Sequence, residues 1–283
     1  MISLAEDDRI EEKGPQVASG RAKKRKRRLP FFLRSTFLAP TAVLLFLLGI
    51  WIALSEGGVV SDLTLPSPFA VAQSLVDDWS IYWTNAKVTL LEIIIGMSIG
   101  IVLGVALGVA IALQDTLRTA LYPLVIGSQS LPILALAPIL VIWLGFGLAP
   151  RIVIVVQIVF FPVTIATIQG LTSVGSEVLV FGRSLGASAW KLFWKVRVPA
   201  MLPYFFGGLK IASSYAAVAA VIAEWTGASE GLGALMLRAN NDYNTVVVFG
   251  SVFWVTMIGL VAFSLAALAE RKLAPWHTDS KTR

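Results

Sequence analysis

Six long apolar windows, separated by polar intervals, dominate the hydrophobic pattern of the chain. They run Phe37–Leu54, about Val88–Leu113, about Tyr122–Leu144, Ile152–Gln169, about Tyr204–Ala223 and about Tyr243–Ala269. The third lies inside an uncharged stretch from Thr119 to Pro150. A helix needs about 20 mostly apolar residues to cross a bilayer, because in hydrocarbon every backbone N–H and C=O must bond within its own segment. The pattern therefore predicts an all-α integral membrane protein of about six transmembrane helices. With no internal repeat and no second composition regime after residue 36, the expected organisation is a disordered polar and basic cytoplasmic tail (1–36), one transmembrane domain (37–273) and a short cytoplasmic tail (274–283).

Composition supports the same class. Of 283 residues, 57% are apolar and 14% charged, where a soluble domain carries about 25% charged residues. A soluble enzyme, a disordered protein and a collagen-like one are excluded. There is no cysteine, and the single histidine, His277, stands among charges near the C-terminus. That leaves no thiol chemistry, no Cys-based metal site and no buried imidazole for acid–base work.

Charge placement sets the orientation. With six crossings and the N-terminus inside, residues 1–36, 114–121, 170–203 and 270–283 are cytoplasmic and hold 19 of the 23 Lys and Arg. Positive charge collects inside, so the expected topology is N-in, C-in. The run RAKKRKRR at 21–28 directly precedes the first span and reads as a membrane anchor rather than a nucleic-acid signal. The first span is not a cleaved secretory signal, since Ser55-Glu56-Gly57 follows it in place of a small-residue cleavage site.

Ionisable residues are scarce within the spans. Glu92 falls near the outer end of the second, Glu224 closes the fifth, and Lys210 lies early in the fifth, where a long side chain can snorkel. A proton relay or a coupling-ion site needs more than this. No P-loop string G-x-x-x-x-G-K-[S/T] occurs either, so any nucleotide that drives transport binds a partner subunit. The chain is not expected to be an enzyme. A self-contained channel or secondary carrier is the alternative.

The longest inner loop, 170–203, reads GLTSVGSEVLVFGRSLGASAWKLFWKVRVPAMLP. Leu185, Ala189, Leu192, Phe193 and Val196 recur at helical spacing, which predicts an amphipathic helix over 184–196. Gly182 and Gly186 break its approach, and Pro199 and Pro203 are expected to end it. So apolar a cytosolic helix needs a membrane surface or a groove on a partner.

This loop resembles the EAA loop of permease subunits of binding-protein-dependent ABC importers, E-A-A-x3-G-x9-I-x-L-P. Gly186 matches the glycine, and Val196-Arg197-Val198-Pro199 stands for I-x-L-P. Val180-Phe181-Gly182 replaces E-A-A, so the acidic contact is missing. Leu65-Pro66-Ser67-Pro68, Leu131-Pro132 through Ala137-Pro138 to Gly147, and Ala223-Glu224-Trp225 to Gly233 resemble the nitrate/sulfonate/taurine-type group. The string Glu224-Trp225-Thr226-Gly227-Ala228-Ser229-Glu230-Gly231-Leu232-Gly233 is more similar to its pyrimidine-precursor and riboflavin branch.

The resemblance implies a type I importer permease in a bacterial inner (plasma) membrane. It also implies a second permease copy, cytoplasmic ATP-binding subunits and an extracytoplasmic solute-binding protein. Leu185, Gly186, Ala187, Trp190, Phe193 and Pro199 would couple to the ATPase, with the ATP bound there and no cofactor or metal in this chain. Ser128, Gln129, Ser130 and Pro132 are candidate pathway residues, because prolines free carbonyls beside them; Gln157 and Gln169 either line it or bridge helices. Glu224, Glu230 and Asp242 are candidates for docking the binding protein. Gly96, Gly100, Gly104 and Gly108, at spacing four, read as a close-packing face. The solute is a small organic or anionic molecule.

Overall fold

The computed structural model describes residues 35–58, 60–61 and 63–278. The expected tails, with the basic run 21–28, lie largely outside the described residues. Every regular element among those described is helical: α1 Ser35–Glu56, α2 Pro68–Asp77, α3 Trp79–Leu113, α4 Asp115–Ser128, α5 Ile133–Leu144, α6 Leu148–Thr172, α7 Ser176–Ser184, α8 Ala189–Leu192, α9 Val198–Glu224, α10 Leu232–Asn241, α11 Thr245–Leu273 and α12 Pro275–Thr278. A π-turn, Phe193–Arg197, joins α8 to α9. The first predicted span falls on α1.

Among the described residues, four helices are long and apolar enough to cross a bilayer unbroken: α3, α6, the run Ala189–Glu224 and α11. α4 and α5 pass together but are bent by 101° at their junction. The α3–α6 contact explains how two of the spans pack. A Cβ on Gly96 would sit 2.5 Å from Val155 Cγ1, on Gly100 2.9 Å from Val159 Cγ1, and on Gly108 2.7 Å from Thr167 Cβ. Lipid gives helices no hydrophobic reason to associate, so the gain comes from backbones meeting where side chains are absent. The glycine stripe is a packing face.

Those pairings also give direction. Positions 96, 100 and 108 of α3 meet 155, 159 and 167 of α6, so the two helices run parallel. Gly170 meets Met201 and Gly208 meets Ala166, so α9 runs antiparallel to α6. Between parallel α3 and α6 the chain has to return the full length of the bundle, and α4 and α5 do this. Ile111, Val125 and Ile168 pack at one end of that return, and Ala137, Leu140, Ile154 and Ala223 at the other. The bent pair is therefore the return leg between the two parallel helices.

Two expectations are corrected. The third span is not a continuous helix over 122–144. Gln129 N–H and Ser130 N–H close tight turns onto Ile126 O (3.1 Å) and Gly127 O (3.0 Å), and Pro132 then starts α5 in an extended conformation. A proline has no N–H and pushes its predecessor, Leu131, out of helical geometry, so the ladder stops there. Pro138, by contrast, stays inside α5. The second correction concerns 184–196, which is not one helix ended by Pro199. α7 ends at Ser184, α8 begins at Ala189, and the helix continues through Pro199 and Pro203 to Glu224. The widened turn makes this possible: Val198 N–H reaches back five residues to Phe193 O just before Pro199, whose own donor is missing.

Lys210 does not snorkel free. Its Nζ meets Glu270 Oε2 of α11 at 2.7 Å. Near the other end of α11, Trp254 packs on Trp79 and Trp83, with centroids 4.9 and 6.1 Å away.

Candidate coupling, pathway and docking sites

The corner between α7 and α8 is built by a glycine. Gly186 has φ +81°, its N–H bonds Arg183 O at 2.9 Å, and Ala187 N–H bonds Gly182 O at 3.1 Å. This paired arrangement closes a helix only when the residue beyond its cap is left-handed, which is why glycine occupies that place. Ser188 then caps α8, accepting from Lys191 N–H at 3.3 Å. Gly182 lets the two short helices touch, since a Cβ there would lie 2.6 Å from Leu192 Cδ2.

The corner presents apolar side chains outward. Leu185 is 72% exposed and Trp190 71%. Leu192 is buried, and Phe193 is half-buried beneath the tryptophans. Trp190 and Trp194 meet edge to face at 5.5 Å, and Phe193 and Trp194 at 5.4 Å. A groove of about 550 Å³ beside them is lined by Val109 and Leu113 of α3, Leu179 and Arg183 of α7, and Trp190, Phe193, Trp194 and Arg197. Of the predicted coupling residues, Leu185, Gly186, Ala187 and Trp190 come together at the corner; Pro199 lies within the α9 helix.

At the α4–α5 break, Gln129, Ser130 and Pro132 are exposed, and Ser128 is half-buried with its hydroxyl on Val125 O at 2.7 Å. Gln157 of α6 donates to the freed Ser128 carbonyl at 3.4 Å. It bridges helices, as one of its two readings held.

The opposite end of the bundle brings Asn85, Thr89 and Arg151, which sequence reasoning missed, around Glu92 and Glu224, which it had named. Glu224 is 1% exposed, and both its oxygens are bonded: Thr89 Oγ1 donates to Oε1 at 2.6 Å and Gly233 N–H donates to Oε2. Leu232 N–H donates to Thr89 Oγ1 at 2.9 Å, and Gly231 N–H to Asn85 Oδ1 at 3.0 Å. Arg151 of α6 pairs with the fully buried Glu92 and also donates to Gly147 O at 2.8 Å. Glu224, one of the docking candidates, is thus enclosed within the bundle with both carboxylate oxygens bonded inside it. Glu230 and Asp242 are exposed. A signal for this cluster exists in the sequence, because Asn85, Thr89 and Glu92 continue the glycine stripe on the same face of α3.

Residues 100–275 match the family described as the binding-protein-dependent transport system inner membrane component. The chain belongs to that family. It is 34% identical to the formylaminopyrimidine transport permease protein ThiX of Halalkalibacterium halodurans, over 85% of this chain and 96% of that one. It is 36% identical to the riboflavin transport system permease protein RibX of Chloroflexus aurantiacus, over 76% and 81%. Its fold is similar to that of a chain in an inward-facing structure of the MetNI methionine ABC transporter (TM-score 0.55, 20% identity, 69% of this chain and 94% of that one). The chain is thus the membrane permease subunit of an ATP-driven ABC importer, a multi-pass protein of the bacterial inner membrane. Such a subunit is the transport component and not the catalytic one, and membership disfavours a self-contained channel or carrier.

Proposed function

We propose that this chain forms half of a homodimeric pathway for a small, uncharged or weakly charged organic solute, a heterocycle of the pyrimidine or flavin kind rather than a sulfonate. The observation that carries this is the α4–α5 break. There Gln129 and Ser130 expose amide and hydroxyl groups, with Ser128 beside them, and the uncharged run 119–150 offers no cation to an anionic solute. Hydrogen-bonding groups without charge suit a ring with donors and acceptors at its edge. The similarity to the ThiX and RibX proteins supports the same class.

In this reading six helices cross the bilayer with both termini inside, as the Lys and Arg distribution favours. The α7–α8 corner sits in a cleft of the ATP-binding subunit. Closure of the ATPase pair pushes on that corner, and the rigid run from Ala189 into α9 carries the displacement to the spans. Glu230 and Asp242 face the solute-binding protein outside. The test is uptake into proteoliposomes holding this chain, its ATPase and its binding protein. A formylated aminopyrimidine or riboflavin should be accumulated with ATP, and taurine should neither be accumulated nor compete. Preferred uptake of taurine overturns the solute class.

A further inference from the structure

The first turn of α10 is satisfied in an unusual way. A helix start leaves backbone N–H groups without partners, and normally its own cap residue or water receives them. The cap here is Gly231, which has no side chain. Its N–H and the next two are received by other helices: Asn85 and Thr89 of α3 take those of Gly231 and Leu232, and Glu224 of α9 takes that of Gly233. Thr89 stands at the centre, because its hydroxyl accepts from Leu232 N–H and donates to Glu224. The backbone closes this tightly only because it lacks side chains: a Cβ on Gly231 would run into the Glu224 carboxyl, and one on Gly233 would lie 2.7 Å from Val221 O. Meanwhile the other face of α10 carries exposed Leu237 and Asn240, between exposed Glu230 and Asp242, while Arg238 reaches back to Ser229 O at 2.6 Å and Asn85 Oδ1 at 3.5 Å.

We propose that Thr89 and Glu224 are positioning residues that make α10, α3 and α9 one mechanical body, so that a binding protein seated on the exposed face of α10 acts on the spans directly. The inference rests on the reading that this end faces outward. Moving α10 alone would strand three backbone donors, the Thr89 hydroxyl and the Glu224 carboxylate in a dry interior. The clamp therefore moves with α10 or not at all.

The test uses the complete transporter in nanodiscs with MgATP. Three quantities are read: basal ATP hydrolysis, affinity for the cognate binding protein, and hydrolysis stimulated by it. Thr89→Val removes the hydroxyl at constant shape. It should leave the first two within about twofold and cut stimulation by about tenfold, the scale of one or two buried hydrogen bonds. Thr89→Ser, which restores the hydroxyl, should restore stimulation. Full stimulation in Thr89→Val, or basal and stimulated rates falling in the same ratio, overturns the proposal. In the unmutated complex the amides of Gly231–Gly233 should stay protected from hydrogen exchange when the binding protein docks; loss of protection on docking also overturns it. Separately, unchanged binding-protein affinity in a Glu230→Lys, Asp242→Lys double variant removes the outward-facing reading and leaves the clamp measurements to stand alone.

Discussion

The two ends of the bundle are built on opposite principles. At the Glu224 end, Asn85 and Thr89 of α3, Glu224 of α9 and the first backbone N–H groups of α10 hydrogen-bond one another, and α10 is fixed to α3 and α9 by bonds that cannot be exchanged for water. At the Trp190 end the corner is covalently sharp but packed on little, and its largest side chains face outward. The first end gains by holding still. The second carries exposed aromatic surface that an isolated soluble face would not leave uncovered, which suits an element completed by a partner. Between them α9 is one helix, so displacement at one end has a stiff path to the other.

The comparison can be broken at several points. The largest effect is expected at the Glu224 end. Arg151→Met removes the ion-pair partner of buried Glu92 and should cost about 3–5 kcal/mol, read as a large fall in melting temperature of the purified chain. Adding Glu92→Gln should recover most of that loss; no recovery would mean the arginine acts through packing instead. Next comes the exposed corner. Trp190→Glu should weaken association with the ATPase by about 2 kcal/mol, roughly thirtyfold, with melting unchanged. A melting loss with intact association would reverse the assignment of that end.

Two neighbouring glycines sharpen the role of the middle. Gly208 has Ala166 Cβ and Pro162 O within 2.6 Å of where a Cβ would stand, whereas Gly207 has nothing within 4 Å. Gly208→Ala should destabilise by about 1–3 kcal/mol. Gly207→Ala should be neutral or stabilise by up to about 1 kcal/mol, by helix propensity. Equal melting temperatures for the two would deny the close packing of α6 on α9. The smallest expected change is Glu230→Gln, within about 0.5 kcal/mol of wild type in stability, while affinity for the binding protein falls.

Much of this was legible before any coordinates. Apolar windows longer than a bilayer is thick leave helices as the only spanning option. The glycine stripe at spacing four announced a packing face, and the glycine of the EAA-like pattern announced a turn. Residues related by short sequence spacing on one helix can be read from spacing alone, because the helix period is fixed.

What the linear chain withheld were relations between distant segments. Glu224 looked like a surface acid in an outer segment; only the approach of α3, with Thr89 135 residues away, shows it enclosed. Lys210 looked free until α11 brought Glu270 beside it. Pro132 broke its helix while Pro199 and Pro203 did not, because a proline removes one donor everywhere, yet whether the ladder ends depends on whether the backbone can widen and what packs around it. Local sequence determined that there are helices, where they turn and which faces are thin. The tertiary arrangement decided which charges are buried, since burial depends on what other segments come to cover a group.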